Sequence, residues 1–164
     1  MSQFRGSQIS LMLLDLDRFK EFNDHYGHQV GDDCLRAIAA AVREAARATD
    51  IPARYGGEEI AVILASTDLA GALGGAEKVR LAVQALQTTH GGDPEGGGWV
   101  TVSVGVATAL SRVGGTMRMP ESLLLAADNA LYKAKREGRN QVATALLVAV
   151  KESDDRHPKS ARWH

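Results

Sequence analysis

The chain has a single cysteine, Cys34, in 164 residues. This excludes an intrachain disulfide framework and any thiolate-rich metal site, and it suits a reducing compartment. Charge of one sign is also missing: nineteen Lys and Arg against twenty Asp and Glu leave a formal −1. No global field therefore favours DNA, RNA or an anionic membrane, and any phosphate chemistry must be local. The longest apolar stretch near a terminus, Ala143 to Val150, falls far short of the roughly 20 residues that cross a bilayer. No basic-then-apolar leader precedes residue 9, so the expected location is the cytoplasm. Internal repeats and a second domain are absent too. What remains is a single-domain length with 45% hydrophobic and 24% charged residues, an ordinary globular composition.

Ile9 to Leu16 (ISLMLLDL) is an almost unbroken apolar run ending in acids, the pattern of a strand covered on both faces. Between Val30 and Ala48, Leu35, Ile38, Val42 and Ala45 recur at spacings of 3, 4 and 3, which predicts a helix joined to that strand by a short segment, Asp17 to Tyr26. Ile51 to Tyr55, Gly56-Gly57 and Glu58 to Leu64 read as strand, tight turn, strand. Leu69, Leu73, Ala76, Val79, Val83 and Leu86 give a second helix capped near Thr67 or Asp68. His90 to Gly98 has the composition of a flexible loop, Trp99 to Ala107 alternates as a strand with Ser103 and Gly105 at its middle, and Ser111 to Met119 reads as a loop. Pro120 opens a third helix buried through Leu124, Ala127, Leu131 and Ala134 and stopped by Gly138, after which Gln141 to about Leu147 returns as a strand. The order β-α-β-β-α-β-α-β predicts an α+β fold, with helices packed on one sheet. The expected organisation is a leader at residues 1–8, a domain at 9–147 and a charged tail at 148–164.

Asp15 and Asp17 end an apolar strand, while Glu58 and Glu59 sit on a two-glycine turn. If the hairpin pairs beside the first strand, three or four carboxylates meet at one sheet edge, a donor set suited to Mg²⁺ shared with substrate phosphates. Hairpin turns also collect polar residues for no chemical reason, so Asp15 is what lifts the metal reading. Lys20, Asn23, His28 and Asp32 follow the first strand. An Asn amide and a carboxylate can meet the donor and acceptor edges of a guanine, although the same stretch also reads as a polar loop with its helix cap. Lys135 and Arg139 stand four apart at the end of the third helix, where they either hold an anion or simply answer the helix dipole. Arg47 and Asp50 make an RxxD that is either an ion pair at a helix end or a guanine-nucleotide contact.

Together these residues resemble the GGDEF family of bacterial diguanylate cyclases. The matching pieces are LLDLDRFKEFND (13–24), YGHQVGD (26–32), RYGGEEI (54–60), VSVGVA (102–107) and AADNALYKAKREGRNQV (126–142). The resemblance implies a ferredoxin-like palm with a mostly antiparallel sheet, and a homodimer in which each subunit holds one GTP. The 3′-hydroxyl of each GTP attacks the other's α-phosphate, releasing two pyrophosphates and cyclic di-GMP. It further implies that Asp15, Glu58, Glu59 and the carbonyl of Leu16 serve the metal, Mg²⁺ or Mn²⁺, with Glu58 also the base. Gly56 and Gly57 would admit the phosphates, and Lys20 would contact them or the transition state. Asn23 and Asp32 match the guanine readers, His28 a further substrate contact, and Lys135 and Arg139 the holders of the terminal phosphates. Arg47 and Asp50, with five residues between Asp50 and Gly56, match the family's inhibitory site for its own product, with Lys78 where a further arginine is often found.

Two departures stand out. Ile60 replaces the commoner Phe or Leu of the signature, and only Met1 to Gln8 precede the first strand, where the family usually carries a helix and a D-x-L-T-G-L-x-N-R-R segment. No sensor or receiver domain is present in this chain to pair two subunits. Three functions compete: an active cyclase, a non-catalytic module that senses cyclic di-GMP or GTP, and another palm enzyme such as an adenylyl cyclase or polymerase. The intact glutamates disfavour the second, and the guanine readers with no basic groove disfavour the third.

Overall fold

The apolar run at the front of the chain becomes β1 (Gln8–Leu16), the middle strand of a five-stranded sheet ordered β2-β3-β1-β4-β5. The computed structural model describes residues 8–93, 97–110 and 119–146. The expected leader (save Gln8), most of the loop at 111–119 and the tail at 148–164 lie outside the described residues. Around β1 the chain runs α1 (Phe19–Tyr26), α2 (His28–Ala45), β2 (Asp50–Arg54), β3 (Glu59–Ala65), α3 (Leu69–Ala85), β4 (Val102–Leu110), α4 (Met119–Arg136) and β5 (Val142–Leu146). β1 pairs antiparallel with both β3 and β4, and β2 with β3, while β5 adds to β4 in parallel. The first four strands thus have the arrangement of a ferredoxin-like palm, as the family resemblance implies, extended by β5 across the α4 crossover.

Both faces of β1 are covered, which is why its sequence is continuous rather than alternating. Met12, Leu14 and Leu16 pack with Phe22, Leu35, Ile38, Ala76 and Val79 on the side of α1, α2 and α3. Leu11 and Leu13 turn the other way, against Leu123, Ala127 and Leu131 of α4. Leu13 and Leu14 are fully buried, each worth roughly 1.5–3 kcal/mol.

Three expectations need correction. The segment Asp17 to Tyr26 holds a helix, α1, whose Phe19, Phe22 and Tyr26 line one face at helical spacing and stack on one another. The hairpin loop spans Tyr55 to Glu58 and not two residues alone, closed by a Tyr55 N–H to Glu59 O bond of 2.9 Å, so Glu58 belongs to the loop. The fourth strand starts at Val102, three residues later than its alternation predicts, because Trp99 makes only an isolated bridge to Thr89. The predicted caps hold better: Asp68 accepts from Gly71 N at 2.8 Å and opens α3.

The expected flexible loop at 90–98 is anchored at its front. His90 is 1% exposed, its Nε2 lies 2.9 Å from Arg18 O, and its ring meets Phe22 edge-on. Cys34, 6% exposed in the α2 core, has its thiol pushed up to about 11 by burial. At about pH 8 a thiol reagent is therefore expected to label the folded chain only at the rate of opening and the denatured chain at once. Immediate stoichiometric labelling of folded protein would contradict the placement.

Candidate active site

The antiparallel register sets the carboxylates side by side. Asp15, the penultimate residue of β1, lies opposite Glu59 of β3 on one side and Ser103 of β4 on the other. Asp15 is buried, and its Oδ2 accepts from Lys135 Nζ near the C-terminus of α4, while its Oδ1 is buried without a well-formed hydrogen bond, the Leu16 N–H being the backbone donor near the carboxylate. An ionised oxygen removed from water without a well-formed hydrogen bond is costly unless a cation reaches it. Burial pushes the Asp15 carboxyl above its ordinary value, against the pull of Lys135. Burial likewise raises Glu58 and Glu59, and the negative charge of Asp15 adds to both. Three acids thus crowd one ammonium, an edge poised for more positive charge.

The expectation that three or four carboxylates converge on one point needs qualifying. Among the described residues no three acidic or imidazole side chains close on a position that would hold a metal ion by themselves. Lys135, not a third carboxylate, takes Asp15 Oδ2, and Asp17 is turned inward. Asp15 with Glu58 and Glu59 nearby is a hard-oxygen set that fits Mg²⁺ when substrate phosphates supply further oxygens. Leu16, whose carbonyl the resemblance assigns to the metal, is a buried strand residue paired with Val102.

Gly56, at φ 93°, takes a backbone conformation that residues with a side chain rarely adopt, and nothing would crowd a Cβ at Gly57. The loop is therefore sharply turned, and its backbone is open to a ligand. Beside it, between α2 and the hairpin, lies a cleft of about 290 Å³ lined by Asp32, Leu35, Arg54, Gly57, Glu58 and Glu59 among others. Asn23 is brought toward Asp32 by close packing of α1 on α2. A Cβ at Gly31 would lie 1.8 Å from Asn23 Oδ1, so a side chain there would push the Asn23 amide out of its place. Asn23 Oδ1 is itself buried without a partner. Lys20 on α1 and His28 at the start of α2 are exposed, with no ion-pair partner among the described residues.

Lys135 and Arg139 do not share a helical face as expected. α4 ends at Arg136, Gly138 reverses the chain at φ 122°, and Arg139 sits beyond in a left-handed turn at φ 62° with its N–H on Ala134 O at 3.0 Å. Asp17 is the residue whose importance sequence reasoning missed. It is 5% exposed and bound on every side by Thr101, Ser103 and the Asn140 backbone. The signal was a second acid in an otherwise apolar strand end.

Away from the cleft, Arg47 and Asp50 form the plain ion pair. Arg47 N donates to Asp50 Oδ2 at 2.8 Å and its guanidinium lies 3.2 Å from Oδ1. The pair stands after the end of α2, with the Asp50 side chain 5% exposed and that of Arg47 58% exposed; Arg47 Nη2 also donates to Thr67 Oγ1, so the guanidinium is held along one edge and exposed on the rest. Lys78 is exposed on α3. Among the described residues no helix is long and apolar enough to cross a membrane.

Residues 1–141 match the family described as "Diguanylate cyclase, GGDEF domain". The chain is 43% identical over 139 residues to Response regulator PleD of Caulobacter vibrioides (strain NA1000 / CB15N), covering 84% of this chain and 29% of that protein. It is 40% identical over 137 residues to Diguanylate cyclase VdcA of Vibrio cholerae serotype O1, covering 84% and 39%. It therefore spans about a third of the length of these curated relatives. Among solved structures, the GGDEF domain of DgcB from Caulobacter crescentus in complex with c-di-GMP superposes with a TM-score of 0.70 at 36% identity, over 84% of this chain and 77% of that one. The active GGEEF domain of a diguanylate cyclase from Vibrio cholerae gives a TM-score of 0.72 at 27% identity, over 87% and 85%.

Proposed function

The chain belongs to the GGDEF family, and from that premise we propose that it is a diguanylate cyclase domain condensing two GTP into cyclic di-GMP and two pyrophosphates across a homodimer. The observation that carries the proposal is the buried Asp15 Oδ1, without a well-formed hydrogen bond, beside two glutamates held toward their neutral forms. That edge sets one ammonium, Lys135, against three carboxyl groups, and a divalent cation arriving with the triphosphate would supply the missing positive charge.

In this reading Asn23 and Asp32 read the guanine, with Lys20 and His28 contacting the rest of the substrate. Gly56 and Gly57 admit the phosphates to the backbone, and Lys135 and Arg139 hold the terminal pair. Asp15, Glu58, Glu59 and the Leu16 carbonyl are the residues that would hold Mg²⁺ or Mn²⁺, which supplies charge neutralisation at the reacting phosphate. Glu58 accepts the 3′-hydroxyl proton as the oxygen bonds to the partner substrate's α-phosphorus, and the bond to pyrophosphate breaks. The two halves of the site come from two subunits, so positioning carries most of the catalysis.

Concentrated protein incubated with GTP and Mg²⁺, with the nucleotides resolved by chromatography, is expected to yield cyclic di-GMP and pyrophosphate. GTP left intact, with cyclic di-GMP still bound in a calorimetric titration, would replace the cyclase with the sensor reading.

Feedback is part of the proposal: Arg47, Asp50 and Lys78 would form the inhibitory product site, with the exposed part of the Arg47 guanidinium as its accessible contact. Arg47→Ala is expected to relieve inhibition by added cyclic di-GMP at least about tenfold while leaving GTP affinity unchanged, the scale of one lost charge-assisted contact. Unaltered inhibition would leave Arg47 and Asp50 as the ion pair and nothing more.

A further inference from the structure

We propose that Asp17 is a positioning residue for the phosphate-holding turn: its buried carboxylate fixes the Arg139–Asn140 backbone and thereby aims Arg139 at the nucleotide. The inference rests on the cyclase reading above for the role of Arg139, and on geometry for everything else.

Asp17 follows β1 directly and is 5% exposed. Its own N–H donates to Thr101 O at 2.9 Å, which fixes it against the start of β4. The carboxylate then accepts from Thr101 Oγ1 at 2.7 Å, from Ser103 Oγ, and from the Asn140 backbone N–H at 2.9 Å. Two of these donors belong to the β4 end of the sheet. The third lies 123 residues along the chain, in the turn between α4 and β5.

That turn needs holding. Arg139 and Asn140 have φ values of 62° and 44°, in the left-handed region that asparagine tolerates and arginine rarely adopts. Two of them in succession persist only where the surroundings over-determine them. Asp17 grips the turn from the sheet side. From the α3 side, Arg80 Nη1 donates to Asn140 Oδ1 at 2.9 Å, and Arg80 is itself braced by Glu77. Arg139 N donates to Ala134 O at 3.0 Å, closing the turn onto α4. The backbone of Arg139 is thus fixed on three sides. Its guanidinium has no partner among the described residues, as an anion-binding side chain on a rigid mount requires.

Lys135 is mounted differently, on α4 itself and against Asp15, so loss of the Asp17 carboxylate should displace Arg139 and spare the guanine end of the cleft. The test uses 3′-deoxy-GTP, which cannot be turned over, and GMP, which lacks the two terminal phosphates, each titrated into the full chain. Asp17→Ala is expected to weaken 3′-deoxy-GTP at least about tenfold, the scale of one lost charge-assisted contact, while GMP binding stays within about twofold. Asp17→Asn keeps the volume and one acceptor for Asn140 but not the charge that strengthens the bond, so it should weaken 3′-deoxy-GTP by an intermediate amount, about threefold, with GMP unchanged, and it carries the test if the alanine variant does not fold. Equal loss of both nucleotides would make Asp17 a general structural residue and overturn the proposal. So would unchanged triphosphate binding in both variants. Wild-type protein that binds neither nucleotide would overturn the cyclase reading, and this inference with it.

Discussion

Glu58→Gln is expected to lower cyclic di-GMP formation by at least about 10³-fold, within the range that a general base contributes, without lowering the melting temperature. The two halves of that outcome have one cause. Glu58 is half-buried at the edge of the cleft, and burial, then the charge of Asp15, raise its carboxyl above the ordinary value. The folded chain therefore holds the Glu58 proton more tightly than the unfolded chain does. The stability this group adds is present below the ordinary carboxylate value and is lost as pH rises through the raised one. At neutral pH an ionised Glu58 burdens the fold, and a glutamine of the same volume does not.

The metal-free variant at neutral pH should thus melt at or above wild type, and the two should converge below about pH 3.5, where the glutamate is largely protonated in both states. Mg²⁺ with GTP should raise the wild-type melting temperature and shift the variant much less, since stabilisation follows ligand occupancy. Chromatography of the nucleotides and thermal unfolding at the two pH values check both halves. Normal turnover by Glu58→Gln would remove Glu58 from the chemistry. A lower melting temperature at neutral pH would remove the electrostatic account.

Much of this was readable in the chain because the strongest signals are periodic. A strand covered on both faces has to be apolar throughout, so ISLMLLDL reveals β1 and places Asp15 at its end. The 3- and 4-residue recurrences of Leu35, Ile38 and Val42 reveal α2 for the same reason. What the pattern hides are contacts between segments far apart in sequence. α1 escapes because only two of its residues, Phe19 and Phe22, are buried among polar neighbours. Arg139 looks like a continuation of α4, since sequence spacing cannot show that Gly138 turns the chain before it. Asp17 looks like a second metal acid beside Asp15, yet its partners Thr101, Ser103 and Asn140 lie 84 to 123 residues away. Both acids are buried, and they differ in what the sheet brings to each: neutral donors to Asp17, and Lys135 with two glutamates to Asp15.

Gly105→Ala is expected to cost the fold at least about 3 kcal/mol, at the upper end of overpacking, and to remove activity with it. Gly105 lies in β4 opposite Leu13, at the centre of the sheet. A Cβ there would stand 2.2 Å from Ala127 O, 2.2 Å from Leu131 N and 2.7 Å from Leu131 Cα. All three atoms are helix backbone, so no side-chain rotation relieves the clash and α4 as a whole must move outward by roughly 1 Å. That loosens Leu123, Ala127 and Leu131 from Leu11 and Leu13, the centre of the core on this face of the sheet. It also draws Lys135 off Asp15, leaving a buried carboxylate without its ammonium. The melting temperature should fall by roughly 6–12 °C for a chain of this size. A glycine within a β-branched strand is the sequence mark of such a close backbone approach. Thermal unfolding with the melting temperature held within about 2 °C would show that α4 rides higher on β4 than these distances require, and would release Gly105 from any part in carrying Lys135 to the site.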